Sequence, residues 1–167
     1  MSEHSKRISR LAILTAIGAV LLFITELVPA GRLGLMAAAS FPVCIAVILY
    51  GPGWAAGVFA VTALLGFLLF PGTTAVGYGA FFGFYPILKS LIERLDAKPL
   101  RLLLKTVVYG AAFLAYWFLA AALFPAGSNA LPWYVLFVLG GAAFAFYDWC
   151  YSLIIQFFME NIARLIR

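Results

Sequence analysis

Six long apolar stretches, separated by short turns, constrain what this 167-residue chain can fold into. Each is close to the roughly 18 to 23 residues that an α-helix needs to cross the hydrocarbon core of a bilayer. The predicted spans are 11–28, 35–50, 54–70, 74–91, 102–124 and 131–158. Glycine and proline occupy the breaks between them, as expected for turns. We therefore predict an all-α fold, a polytopic six-transmembrane-helix bundle, with residues 1–167 forming one domain.

The amino-acid composition also indicates that most of the chain lies in lipid. Hydrophobic residues make up 66% of the sequence and charged residues 10%, and the mean hydropathy is +1.09. The net charge is +5. Because the basic residues are confined to short clusters, this charge favours the loops of a membrane protein over a nucleic-acid-binding surface.

The basic clusters also predict orientation. They lie before the first span, around the connection between the fourth and fifth spans, and after the sixth span, whereas Arg32 stands alone on the other side. Basic residues are enriched in cytoplasmic loops, so both termini are predicted to be cytoplasmic, with residues 1–10 as a cytoplasmic amino-terminal tail. We expect a multi-pass protein of the bacterial plasma (inner) membrane.

The first span has an alternative interpretation as a cleavable secretory signal. Basic residues precede it, and the tripeptide Val28-Pro29-Ala30 loosely resembles a cleavage site. The length of the apolar run and the presence of Glu26 favour a retained helix.

No motif in the sequence indicates catalysis or cofactor binding. The GxxxxGK[ST], HExxH and GxSxG patterns are absent. Cys44 and Cys150 lie far apart in apolar runs and His4 is the one histidine, so no metal site is expected. We predict that the chain is not an enzyme, needs no cofactor and depends on other proteins for energy.

Three charged residues fall inside predicted spans, where an isolated charge costs at least about 2.5 to 3.5 kcal/mol. Glu26 lies near the outer end of the first span, and its simplest partner is Arg32; contact with water or with a ligand remains open. Lys89 and Asp148 are expected at a similar depth in the fourth and sixth spans. We predict a structural ion pair between Lys89 and Asp148 that ties these helices together.

The candidate substrate-binding residues converge on the outer side or line one face of the sixth span. They are Glu26, Arg32, Tyr78, Asn129, Trp133, Phe144 and Asp148. An aromatic wall beside a glycine notch at Gly141 is suited to a flat or apolar solute. The alternatives are that Trp133 only anchors the helix at the membrane interface and that Phe144 only packs or faces lipid.

A stripe of small residues begins the first span in "RLAILTAIGA", where Ala12 and Ala16 form AxxxA. Small residues let two helices approach closely in lipid, where burying leucine gains little. We expect the GxxxG pairs Gly53–Gly57 and Gly79–Gly83 to pack inside the bundle. The stripe of Ala12 and Ala16 is expected to face another protein.

Two segments carry a resemblance to a known family. "RLAILTAIGAVL" and "GRLGLMAAASFPVCIAVILYGPGWAAGVFAVTALLGFLLFPG" resemble the first helix and the second and third helices of the substrate-binding (S) components of energy-coupling-factor (ECF) transporters. The resemblance implies a substrate-capturing subunit of an ABC-type importer of a vitamin or similar micronutrient. It also implies that Ala12 and Ala16 contact a transmembrane coupling (T) component driven by cytoplasmic ATPases, and that the substrate pocket lies near the outer surface.

This sequence departs from the resemblance in two places. The first loop is only "PAGRLG", and Thr62 is the lone hydroxyl of the third span. A relatively apolar solute would suit such a lining. The alternative function is a non-transport membrane scaffold of the bacterial envelope, resembling the cell-shape protein family, in which the small stripe recruits a partner and no pocket exists.

Overall fold

Every secondary-structure element in the described part of the chain is helical. The computed structural model describes residues 3–28, 31–70, 72–95, 97–123 and 132–165. Its helices are α1 (Glu3–Leu27), α2 (Arg32–Ala39), α3 (Phe41–Tyr50), α4 (Pro52–Leu69), α5 (Thr73–Gly77), α6 (Tyr85–Ile92), α7 (Lys98–Leu123) and α8 (Trp133–Leu165). A π-helical segment, Tyr78–Phe82, lies between α5 and α6.

Six helical runs within the described residues are long and apolar enough to cross a membrane. They are Glu3–Leu27, Arg32–Tyr50, Pro52–Leu69, Thr73–Ile92, Pro99–Leu119 and Trp133–Leu153. The predicted all-α class and the prediction of six apolar helices are confirmed. The first helix starts earlier than expected. It begins at Glu3, within residues 1–10, which were predicted to form a tail.

The second apolar run is divided into two helices at Ser40. The backbone N–H of Ser40 donates to the carbonyl of Ala37 at 3.1 Å, and its hydroxyl donates to the same carbonyl at 2.6 Å. Pro42 follows as the second residue of α3 and has no N–H to continue the hydrogen-bond ladder of α2. Local proline chemistry therefore breaks a run that hydropathy alone presents as continuous.

A tight turn at Gly51 joins α3 to α4. Gly51 has a φ of +86°, a backbone conformation that residues with a β-carbon rarely adopt. Its N–H donates to the Val47 carbonyl at 3.0 Å. Pro52 then begins α4, where its fixed φ suits the first helical position. The predicted break between the second and third apolar runs is confirmed at Gly51, although α4 begins two residues earlier than the predicted span at 54.

The chain divides into two compact units, Met1–Gly127 and Ser128–Arg167. In the first unit, α1 packs against α2, α3 and α4, and α7 packs against α5, α6 and the π-helical segment. Among the described residues of this unit, two buried clusters can be distinguished. One consists of Leu11, Val43, Ala46, Ala55, Val58 and Ile87, and the other of Leu22, Ala39 and Tyr78.

The second unit contains α8. Along this helix the rings of Tyr147 and Tyr151 lie 5.1 Å apart, and those of Phe146 and Trp149 lie 6.1 Å apart. The rings therefore form two neighbouring pairs along α8, and the two residues of each pair are about one helical turn apart.

Glycines in the predicted GxxxG pairs do not behave alike. A β-carbon built on Gly83 would lie 2.7 Å from Phe59 Cδ2 and 2.8 Å from Tyr78 Cε1, so this position admits only glycine without rearrangement. The same test at Gly53, Gly57 and Gly79 meets no atom within 4 Å. The expected internal packing therefore holds for Gly83, whereas the pair Gly53–Gly57 faces outward on α4.

Candidate functional site

An ion pair connects the end of α1 to the start of α2. Arg32 Nη2 lies 3.7 Å from Glu26 Oε2, which confirms the predicted partner of Glu26. The separation is longer than a hydrogen bond, so the contact is electrostatic. Two other atoms of this pair, Glu26 Oε1 and Arg32 Nε, are buried without a hydrogen-bond partner. The pair therefore retains one unused acceptor and one unused donor.

A small cleft opens beside the carboxylate of Glu26. Its lining consists of Leu22, Glu26, Gly66, Phe70, Thr74 and Ala75, and its volume is about 10 Å³. That volume holds about one water molecule, whereas sites for small molecules usually measure roughly 300 to 1,000 Å³. Glu26 Oε1 also lies 3.6 Å from where a β-carbon of Gly72 would be. The cleft therefore presents a polar atom, Glu26 Oε1, but it is too small to hold a vitamin.

Tyr78 differs from the expectation that it belongs to an open outer surface. It is completely buried in the π-helical segment, packed with Leu22 and Ala39. Its hydroxyl donates to the Ala39 carbonyl at 3.4 Å. Tyr78 thus lies inside the protein. Leu22 borders both the buried cluster that contains Tyr78 and the cleft that contains Glu26.

The remaining predicted substrate-binding residues belong to the second unit. Trp133 begins α8 with 63% of its surface exposed, and its ring meets that of Tyr134 edge-on at 6.1 Å. Phe144 and Asp148 lie farther along α8, four residues apart on one face. Asn129 lies outside the described residues. Their joint role with Glu26 and Arg32 stays a prediction.

Lys89 is completely buried near the end of the fourth apolar run. Its Nζ lies 3.1 Å from Glu93 Oε1, one turn along the same chain, and Lys105 Nζ of α7 lies 3.7 Å from the same oxygen. One carboxylate thus links α6 to α7. The i,i+4 spacing of Lys89 and Glu93 is visible in the sequence. The ion pair of Lys89 with Asp148 stays a prediction.

The small residues of α1 fall into two groups, one exposed and one buried. Ala12 and Ala16 are exposed, as expected for a surface available to another protein. Gly18 is buried, and a β-carbon built there would lie 3.1 Å from Thr62 Cγ2. The glycine therefore serves close packing of α1 on α4, while the two alanines do not.

Aromatic and cationic side chains join the starts of α1 and α4. The Arg7 guanidinium lies 5.8 Å from the ring centre of Tyr50 and 5.6 Å from that of Trp54, and the ring of His4 lies edge-on to Trp54 at 6.0 Å. His4 and Arg7 both lie in the segment predicted to be an amino-terminal tail. Both instead attach the first turns of α1 to Trp54.

The described residues contain no group of three histidine, cysteine or acidic side chains able to hold a metal ion, and Cys44 and Cys150 do not form a disulfide. The sequence matches no known family model, and no characterised protein or solved structure is significantly similar to it.

Proposed function

We propose that this chain is a multi-pass protein of the bacterial plasma membrane, with both termini cytoplasmic, that acts as an S component of an ECF-type importer. It captures a small micronutrient or a relatively apolar solute and takes its energy from separate ATPase subunits through a T component. Six apolar helices support the membrane location. The basic clusters of the sequence support the orientation.

One observation carries the partner-binding half of this proposal, namely the exposure of the AxxxA stripe. Ala12 and Ala16 are uncovered on α1, although Gly18 of the same helix is packed against α4. Small residues that are not used for internal packing suit a close crossing with a second helix. The outward-facing Gly53 and Gly57 lie at the same end of the first unit, since Trp54 contacts the start of α1. The proposed coupling surface therefore spans α1 and α4.

The capture half is supported by the pair of Glu26 and Arg32 at the end predicted to face outward. The pair holds a buried acceptor and a buried donor without partners, and an unsatisfied buried polar group costs about 1 to 3 kcal/mol. A polar group of a solute that met Glu26 Oε1 in the cleft would remove part of that cost. The rest of the solute would lie outside this cleft, because its volume is only about 10 Å³.

The experiment that tests the proposal is co-purification in mild detergent after co-expression with a T component and its two ATPases. We expect a stable complex with the native chain. Ala12→Trp and Ala16→Trp should weaken it at least tenfold, because the indole holds the two helices apart. Ile13→Trp is the matched control, because Ile13 is 58% exposed beside the stripe and already carries a large side chain. Equal capture of all variants would contradict the proposed surface.

A second candidate function, the non-transport envelope scaffold, is favoured by the small size of the cleft beside Glu26. A scaffold needs the exposed alanine stripe but no substrate volume. Mass spectrometry of molecules that co-purify with the chain distinguishes the two functions. A stoichiometric small solute that is lost in Glu26→Leu supports capture, whereas a chain without solute that retains a membrane-protein partner supports the scaffold.

A further inference from the structure

A basic cluster, Lys89, Arg101 and Lys105, lies where α6 ends and α7 begins. The ammonium groups of Lys89 and Lys105 share the carboxylate of Glu93, and Arg101 lies one turn before Lys105 on the same face of α7. We propose that this cluster binds the phosphate group of an anionic membrane lipid. The inference rests on the membrane location in the proposed function, but it depends neither on transport nor on a T component.

The cluster has more positive than negative charge. Glu93 Oε1 lies beside two ammonium groups, at 3.1 Å from Lys89 Nζ and 3.7 Å from Lys105 Nζ. Lys89, Arg101 and Lys105 carry three positive charges against the one negative charge of Glu93, which is a surplus of two. The predicted ion pair of Lys89 with Asp148 would still leave one. The surplus attracts a further anion.

With the end of the run Thr73–Ile92 and the start of the run Pro99–Leu119 placed at the membrane boundary, these side chains lie at the level of a lipid headgroup. Lys89 lies within the apolar run Thr73–Ile92, and Arg101 and Lys105 lie within the first two turns of the run Pro99–Leu119. At 1.5 Å per residue, Arg101 is about 3 Å and Lys105 about 9 Å along that run from its start. The side chain of Lys105 is only 18% exposed, so it is recessed and not a loose surface charge. An anion at this depth would offset the cost of charge near hydrocarbon.

Exposed apolar side chains adjoin the basic residues along α7. Leu102 is 69% exposed, Leu103 59% and Val107 58%. These side chains can contact acyl chains while Arg101 and Lys105 contact the phosphate. An anion without acyl chains would contact only Arg101 and Lys105. A lipid would contact both the basic and the apolar side chains, so it is the ligand that fits this surface. Basic sites between transmembrane helices near the cytoplasmic side are suited to anionic headgroups.

The test is a titration of dioleoyl-phosphatidylglycerol into the full chain in a neutral detergent, with bound lipid counted by native mass spectrometry. We expect one saturable site that prefers phosphatidylglycerol to phosphatidylcholine. Arg101→Gln with Lys105→Gln should weaken binding about 25-fold, because each basic group near an anionic lipid contributes about a fivefold factor. Arg101→Lys with Lys105→Arg keeps both charges and should retain the site.

The matched control is Lys6→Gln with Arg10→Gln, which removes the same charge from the exposed start of α1. It should leave the affinity unchanged. An equal loss in this control would show a general charge effect and overturn the proposed site. Displacement of the lipid by an equal concentration of inorganic phosphate would overturn the lipid as ligand. Equal binding of phosphatidylcholine to the native chain would overturn the proposal even if the glutamine variant did not fold.

Discussion

Gly18 of α1 lies so close to Thr62 of α4 that a β-carbon on the glycine would be 3.1 Å from Thr62 Cγ2. In lipid, helix association depends on such close packing, because apolar side chains gain little by leaving a solvent as apolar as themselves. This contact is therefore a main determinant of how α1 and α4 pack.

Enlarging Gly18 should separate these two helices. We expect Gly18→Leu to destabilise the chain by about 1 to 3 kcal/mol, the usual cost of overpacking a well-filled interior. Thermal unfolding in detergent, followed by circular dichroism or by a fluorescent thiol probe, measures the loss. Gly57→Leu is the control, because a β-carbon on Gly57 meets nothing within 4 Å. A loss as large in Gly57→Leu would show that the effect comes from helix backbone changes and not from packing.

The two residues of the Glu26–Arg32 pair should not be equally sensitive. Arg32→Gln leaves the Glu26 carboxylate, with its buried Oε1, without a nearby positive charge, which should cost about 1 to 3 kcal/mol. Glu26→Gln removes the buried charge itself and should cost less, because partly exposed ion pairs contribute only about 0 to 1 kcal/mol. Unfolding temperatures of both variants provide the measurement. A more harmful Glu26→Gln would contradict this account.

Lys89 and Glu93 should show the same asymmetry more strongly. Glu93→Gln leaves the buried ammonium of Lys89 with less compensation. The cost should stay below the about 3 to 5 kcal/mol of a fully buried pair, because the Glu93 side chain is 38% exposed. Lys89→Met removes the charge and keeps the length of the side chain, so it should be much milder. Yield of folded protein and melting temperature report the difference. Similar losses in both variants would indicate that Glu93 contributes little to holding Lys89.

The predicted pair of Lys89 with Asp148 has its own test, a charge exchange. Each single reversal, Lys89→Asp or Asp148→Lys, should lower expression of the folded chain, because it places two like charges together. The double variant should recover at least half of the lost yield. Failure of that recovery would remove the pair. Lys89→Asp combined with Ser152→Lys is the control for a nearby charge on α8.

Arg7 should stabilise the start of α1 through its two aromatic neighbours. Its guanidinium lies 5.8 Å from the Tyr50 ring centre and 5.6 Å from the Trp54 ring centre. Exposed cation–π contacts contribute about 0.5 to 1 kcal/mol, so Arg7→Gln should increase amide hydrogen exchange in the first two turns of α1 by a few fold. Arg7→Lys should retain part of the protection. The absence of any change in exchange would show that these rings do not hold the helix start.

Some of the site was accessible from the sequence and some was not. The pair of Glu26 and Arg32 followed from short separation and opposite charge, because only a short turn separates the two positions. The burial of Tyr78 did not follow, since hydropathy and interfacial preference describe a tyrosine at a membrane surface equally well. Its position depends on the π-helical segment and on contacts with residues far along the chain, Leu22 and Ala39.

Hydropathy, proline and glycine placement by themselves determined six apolar helices and the turn between α3 and α4, because span length and φ preference are properties of local sequence. Tertiary structure alone decided which small residues pack and which stay open. Ala12, Gly18, Gly57 and Gly83 look alike along the chain, yet Gly18 and Gly83 meet neighbouring side chains while Ala12 is exposed and Gly57 meets nothing. The reason is that a small residue is needed only where a second helix approaches it, and that approach involves residues far apart in sequence.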